Sequence, residues 1–268
     1  MRRIIGVALV FLMIACATDH DFAPSDEATC RIGRFTYKQE SGHDVSFKVG
    51  YTDGSFTQVS LVTNEAYISG AWASDKVYKH VYKGDSVYIK DFTAFHEGAT
   101  YLTGLIQDVG SKAQTIVTNF PDNGGTYRYS FSYTQDEQQI TVTLEKMTGN
   151  VATFDSRGIY KLTNGNVDTL IITRNPDIHG SDPDPFTTRT KTYTYDIVKN
   201  PLKNLILANF MKAELPDVTY FSENNRITEK YDGQTRNYTF VYGTDPMPAT
   251  LTTPEGVVQK FEYDNCTN

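Results

Sequence analysis

The chain has 268 residues, with 25 Lys and Arg against 32 Asp and Glu and a formal charge of −7. An acidic chain without a basic run argues against nucleic acid, which needs Lys and Arg to neutralise phosphates. It argues equally against charge-driven docking on anionic headgroups. Its 18 Tyr and 15 Phe against one Trp are a strand-rich aromatic balance.

Arg2 and Arg3 precede an almost unbroken apolar run, Ile4 to Ile14, which ends at Ala15 and Cys16. A basic start, a short apolar stretch and a small residue are the marks of a secretory signal. The run falls short of the about 20 residues that span a bilayer. Met13-Ile14-Ala15-Cys16 resembles the bacterial lipobox. That resemblance implies an acylated Cys16 at the mature N-terminus. Several acyl chains, at about 0.8 kcal/mol per buried methylene, then suffice as the membrane attachment. The expected organisation is therefore a signal peptide over 1–15, a flexible tether over 16–29, and a single antiparallel β domain over 30–268. Pro24, Ser25, Asp26 and Glu27, without apolar periodicity, suit the tether. Cleavage leaves 253 residues (268 minus 15) and, with Arg2 and Arg3 gone, a charge of −9.

Beyond Cys16 only Cys30 and Cys266 remain, one opening the folded region and one nearly closing it. In an oxidising compartment such a pair is expected to be bridged. A bridge needs Cα atoms within about 7 Å, so it predicts that the first and last strands are neighbours.

Between them the dominant period is two. Val45, Phe47, Val49 and Tyr51 alternate with polar residues, as do Tyr127, Tyr129, Phe131 and Tyr133, then Ile140, Val142 and Leu144, then Tyr193, Tyr195 and Ile197. Alternation of this kind describes antiparallel strands with one apolar face and one wet face. Short turn signals separate the runs: Asp53-Gly54, Asn164-Gly165, Asn224-Asn225 and Asp232-Gly233 among them. The expectation is an all-β fold of about 14 to 18 strands, a long antiparallel meander forming a curved sheet or barrel. Asn175 to Arg189, with three prolines and three aspartates, reads as an exposed loop. After Pro201, the spacing of Leu202, Leu205, Ile206 and Phe210 predicts one short helix over about 200–211 that covers part of the apolar face. Phe221, Tyr242 and Tyr263 stand 21 residues apart, the length of one hairpin repeat.

Tyr160 to Val167 (YKLTNGNV), Tyr193 to Asp196 (YTYD), Lys199 to Asn204 (KNPLKN) and the closing Thr250 to Cys266, with Phe261 and Tyr263, resemble a family of Bacteroidota lipoproteins. That family is of unknown function and has a porin-like β-fold. The strand–turn units also resemble YD (Rhs-type) hairpin repeats. The resemblance is best after about Gly158 and implies a curved sheet or barrel in the bacterial envelope, with no catalytic residues. The polar end, Asp264 to Asn268, differs from the terminal aromatic strand of membrane barrels. A soluble body with an aromatic core is therefore expected, not a lipid-facing barrel.

No catalytic constellation stands out. His43, His80, His96 and His179 show no paired ligand spacing, no G-x-S-x-G elbow occurs, and no carboxylate pair is singled out. Ser181, Asp182 and Asp184 offer oxygens to calcium but lack the Gly and distal Glu of an EF-type loop, so a solvated loop is expected. No metal or cofactor is expected. Asp85-Ser86-Val87 and Asp168-Thr169-Leu170 resemble the short O-glycosylation motif of Bacteroidota envelopes, which makes Ser86 and Thr169 candidate sites. Tyr67, Trp72, Tyr78, Tyr82 and Tyr88 form the candidate ligand platform, since such rings stack on sugars. The competing reading makes them core and cross-strand pairs.

Three functions follow, in order of expectation. The first is a non-catalytic, lipid-anchored binding or scaffold module at the outer membrane, facing periplasm or surface, with a glycan or envelope protein as partner. The second is a carrier of a lipid or other apolar ligand in a cupped sheet, which an open apolar cavity supports. The third is a hydrolase whose carboxylates meet only in the fold.

Overall fold

The computed structural model describes residues 29–38, 44–51, 59–68, 71–83, 86–91, 100–108, 112–120, 125–182, 186–203, 214–243 and 247–267. Cys16, the signal and the tether lie outside the described residues. The strands are β1 (Thr29–Lys38), β2 (Asp44–Tyr51), β3 (Val59–Ile68), β4 (Ala71–Lys83), β5 (Ser86–Asp91), β6 (Thr100–Asp108), β7 (Lys112–Phe120) and β8 (Gly125–Tyr133). They continue with β9 (Gln139–Thr148), β10 (Val151–Thr163), β11 (Asn166–Arg174), β12 (Thr188–Lys199), β13 (Asn224–Tyr231), β14 (Gln234–Asn237), β15 (Thr239–Tyr242), β16 (Pro248–Thr252) and β17 (Val258–Thr267). A one-turn helix, α1 (Pro176–His179), is the one α-helix among the described residues.

Every ladder is antiparallel and joins neighbours in sequence, except that β17 returns to pair with β1. The 17 strands therefore form one curled meander that does not close into a barrel. Its two edges are β14 and β15: β14 pairs with β13, β15 pairs with β16, and only Tyr238 stands between them. Tyr238 keeps one bond to β13, from its amide to the Ile227 carbonyl at 2.9 Å. Beyond it the chain leaves β13 and crosses to β16, which produces a seam.

The alternation sets the core as expected. Tyr129, Ile116, Val142, Leu144 and Tyr160 are fully buried, whereas Ser132, Glu145 and Lys161 look outward or lie at the rim. In β7 to β10 the alternating apolar side chains therefore point into the core. No helix among the described residues is long and apolar enough to cross a membrane. Two expected turns form with the geometry their residues favour. Asn164 and Gly165 have φ of 51° and 75°, and Asp232 and Gly233 have φ of 49° and 75°, the positive values that tight hairpins demand.

Three local expectations are corrected, and a fourth falls largely outside the described residues. Asn224-Asn225 is not a turn but the start of β13, with Asn225 2% exposed. Ile197 is not on the apolar face; it is 96% exposed, because β12 bulges where Tyr195 pairs with Arg226 and Lys199 with Asn224. Asn175–Arg189 is not wholly loop. Asn175 caps α1 by accepting from the Asp177 amide at 3.0 Å, and His179 lies 3.1 Å from Asp155 and 3.0 Å from Asp182. The helix expected over 200–211 begins as a turn at 201–203, and 204–213 lies outside the described residues.

Burial pushes the Tyr129, Tyr160 and Tyr193 phenols well above their ordinary value of 10.0, and lifts Tyr133 to about 12. Below pH 10 both folded and unfolded chains hold these protons, and stability is whole. Above it the unfolded chain sheds protons that the folded chain keeps, so stability falls as pH rises. The tyrosinate absorbance is expected to appear together with loss of the far-ultraviolet strand signal, not before it.

A candidate binding cavity at the seam

The bulge in β12 is held by two polar residues. Asp196 accepts from the amides of Val198 (3.0 Å) and Asn225 (3.2 Å). The Asn225 amide group reaches the Val198 and Lys199 carbonyls at 3.3 and 3.4 Å. Asn200 then ties the returning chain down, donating to the Thr219 carbonyl at 2.6 Å and the Ser222 carbonyl at 3.0 Å. Such side-chain bonds replace the ladder bonds that the bulge gives up. Asn200 and Asn225 also line an open volume beside this bulge.

That volume is a cavity of about 260 Å³. One wall is a row of three rings on adjacent strands. Phe35 of β1 stacks on Phe47 of β2 at 5.0 Å between centroids and on Phe261 of β17 at 6.5 Å. Their register explains the row, since Phe35 is directly opposite both partners. Val49, Val62 and Leu251 extend this apolar wall. The facing wall is polar and carries Asn200, Asp217, Asn225, Arg226, Tyr238 and Thr253.

Arg226 organises that wall. Its guanidinium lies over the Tyr238 ring at 4.2 Å and the Tyr193 ring at 5.7 Å. It bonds to Asp217 at 3.2 Å and Glu229 at 3.4 Å. Burial alone would ease the proton off Arg226, but Asp217, Tyr238 and Glu229 outweigh it and hold the guanidinium charged. The Asp217 side chain is half open to solvent, and Arg226 with the Thr219 hydroxyl and amide holds its carboxyl below the ordinary value. Glu229, 3% exposed, also accepts from Lys191 at 2.9 Å. Two polar atoms on this side have no hydrogen-bond partner although buried: Arg226 Nε and Thr253 Oγ1.

A second, polar cleft of about 200 Å³ adjoins the first and shares Asp217 and Arg226 with it. It gathers Asp155, Glu214, Asp217 and Glu229, the kind of carboxylate convergence a hydrolase would use. Three of the four are occupied: Asp155 by His179, Asp217 by Arg226, Glu229 by Lys191 and Arg226. A general acid needs a raised carboxyl, and Asp217 is shifted the opposite way. No group of three or more His, Cys, Asp or Glu among the described residues is arranged to hold a metal.

The residues singled out from sequence are placed elsewhere. Of the tyrosine stretch, Tyr78 is buried in the core, Tyr67 is 42% exposed and Tyr88 is half-buried, so these three share no single open face. The side chains of Trp72 and Tyr82 lie outside the described residues. Thr169 sits half-buried within β11, opposite Lys161 and Thr192. Ser86 opens β5 with its side chain outside the described residues. Asp182 bonds to Arg174 and His179. The first and last strands are neighbours as expected: Thr29 is opposite Thr267 and Arg31 opposite Asp264, which brings positions 30 and 266 into one stretch of ladder. Both cysteine side chains lie outside the described residues.

No family model and no curated sequence matches the chain. Crystal structures that resemble it include two porin-like proteins. A porin-like protein from Bacteroides uniformis superposes with a TM-score of 0.58 at 14% identity, covering 87% of this chain and 98% of that one. A porin-like protein from Bacteroides vulgatus gives 0.54 at 11% identity, covering 88% of this chain and 100% of that one. The chain shares the all-β fold of these porin-like proteins over nearly their whole length.

Proposed function

We propose that this is a lipid-anchored protein of the bacterial outer membrane that acts as a non-catalytic binding module, with the seam cavity as its binding element. The cavity carries this reading. Among the described residues, the seam keeps about 260 Å³ open between an aromatic wall and a charged one. A filled core would have favoured a scaffold that binds through its outer surface. The open volume favours the carrier option instead, with an apolar-bodied ligand smaller than the drug-sized occupants of pockets of about 300–1,000 Å³. The tyrosine stretch offers less as a glycan platform, because Tyr78 is spent on the core.

The anchor rests on Arg2, Arg3, the apolar run and Cys16. The bridge between Cys30 and Cys266 rests on the β1–β17 ladder. Mass spectrometry of protein extracted from membranes tests both ends together. The expected N-terminal peptide begins at an acylated Cys16, and without reductant one peptide joins Cys30 to Cys266. Cys16→Ser is expected to move the protein into soluble fractions. Retention in the membrane after that change would refute the anchor.

A further inference from the structure

The aromatic row does more than make the cavity apolar. Phe35 and Phe47 are 13° from parallel with centroids 5.0 Å apart, and Phe35 and Phe261 are 22° from parallel at 6.5 Å. Phe35 therefore has a ring stacked on each side, and the three rings cover one another's faces. What such a stack turns toward the cavity it lines is ring edges. An aromatic edge is the positive part of the ring's quadrupole, and the face is the negative part. A wall of parallel edges thus suits the face of a flat ring laid across it. We infer that the cavity takes an uncharged planar aromatic ligand of about two fused rings. This rests on the reading of the cavity as the binding element.

The charge of the ligand follows from the rest of the lining. Among the described residues, Asp217 and Arg226 are the two charged side chains on the cavity wall. They bond to each other at 3.2 Å, and Arg226 also meets Glu229 at 3.4 Å. An ionised ligand would enter a mainly apolar space with no spare opposite charge to meet it, and burial of an unpaired charge opposes that. The size follows from the volume. A dry apolar cavity of about 150 Å³ takes one benzene ring. The 260 Å³ at the seam leaves room for a second ring fused to it.

The test is calorimetric titration of the full-length Cys16→Ser protein, which cannot be acylated at that position, at neutral pH. The probes share one skeleton: naphthalenemethanol, its fully saturated analogue and naphthoate. Naphthalenemethanol is expected to bind one site, at least about fivefold more tightly than the saturated alcohol and about tenfold more tightly than naphthoate. Phe47→Leu keeps the wall apolar and removes one ring edge. It is expected to lower the aromatic-to-saturated affinity ratio about threefold, the equivalent of one edge-to-face contact. Leu251→Trp fills the cavity and is expected to abolish binding of all three compounds while leaving the far-ultraviolet spectrum unchanged. A saturated alcohol that binds as tightly as the aromatic one, naphthoate that binds as tightly as either, or a ratio that Phe47→Leu leaves unaltered would overturn the ligand assignment and leave the cavity reading standing. Absence of binding by any of the three, or binding that Leu251→Trp does not disturb, would overturn the cavity reading as well.

Discussion

Glu229→Ala is expected to destabilise the protein by about 3 kcal/mol, read as a lower denaturant midpoint with an unchanged slope. Glu229 is almost wholly buried and accepts from Lys191 at 2.9 Å and Arg226 at 3.4 Å. Breaking a buried ion pair by deleting one partner typically costs about 3–5 kcal/mol, because the surviving charge is stranded. The low end applies because Arg226 keeps Asp217, and because Lys191 retains some access to water. Glu229→Gln preserves the shape and one acceptor, so its cost is expected to be smaller. If both substitutions leave the midpoint unchanged, the charged wall is not held together as described.

Tyr160→Ala is expected to cost still more, about 4 kcal/mol, within the range for emptying a fully buried aromatic site. Tyr160 has no exposed surface, meets Phe221 edge-on at 4.8 Å, and donates from its hydroxyl to the Pro216 carbonyl at 2.7 Å. That bond pins the segment between β12 and β13 onto β10. Tyr160→Phe separates the two contributions. It retains the ring and leaves a buried carbonyl unpaired, at a cost of about 1–3 kcal/mol. Equal midpoints for the Phe variant and the parent protein would mean that this hydroxyl does not fasten the segment.

What the sequence made legible was what depends on neighbours two residues apart or on a single turn. The rows Tyr129–Phe131 and Ile140–Val142–Leu144 declare their buried face by alternation. Asn164-Gly165 declares its hairpin by the positive φ that few other residues accept. Ile197 broke the rule because Asp196 and Asn225, from different strands, stabilise a bulge that no local pattern announces. Asn224-Asn225 carries a turn composition, yet its amides are used to satisfy that bulge. The spacing of Phe221, Tyr242 and Tyr263 is not a repeat of equivalent positions. Phe221 follows a 3₁₀ turn, Tyr242 is 37% exposed on an edge strand, and Tyr263 is half-buried on β17.

The candidate site was the least legible part. Phe35, Phe47 and Phe261 become one wall only when residues more than two hundred positions apart are paired. Arg226 carries no sequence signal at all. It matters because β13 presents it between Asp217 and Glu229, under the Tyr238 ring. The one available hint was indirect: two cysteines at the ends of the domain predicted that the ends meet, and the β1–β17 ladder is the framework on which the aromatic row is built.

That ladder also sets the order in which the molecule can be assembled. β1 is the first of the described strands in chain order, and one of its two neighbours is the last of them. A chain that emerges N-terminus first must wait for β17 before β1 is flanked on both sides. Contacts of such long sequence separation are slow to form. Until then β1 exposes a free edge that another chain can capture. Truncation near the C-terminus would accordingly harm the beginning of the domain as much as its end.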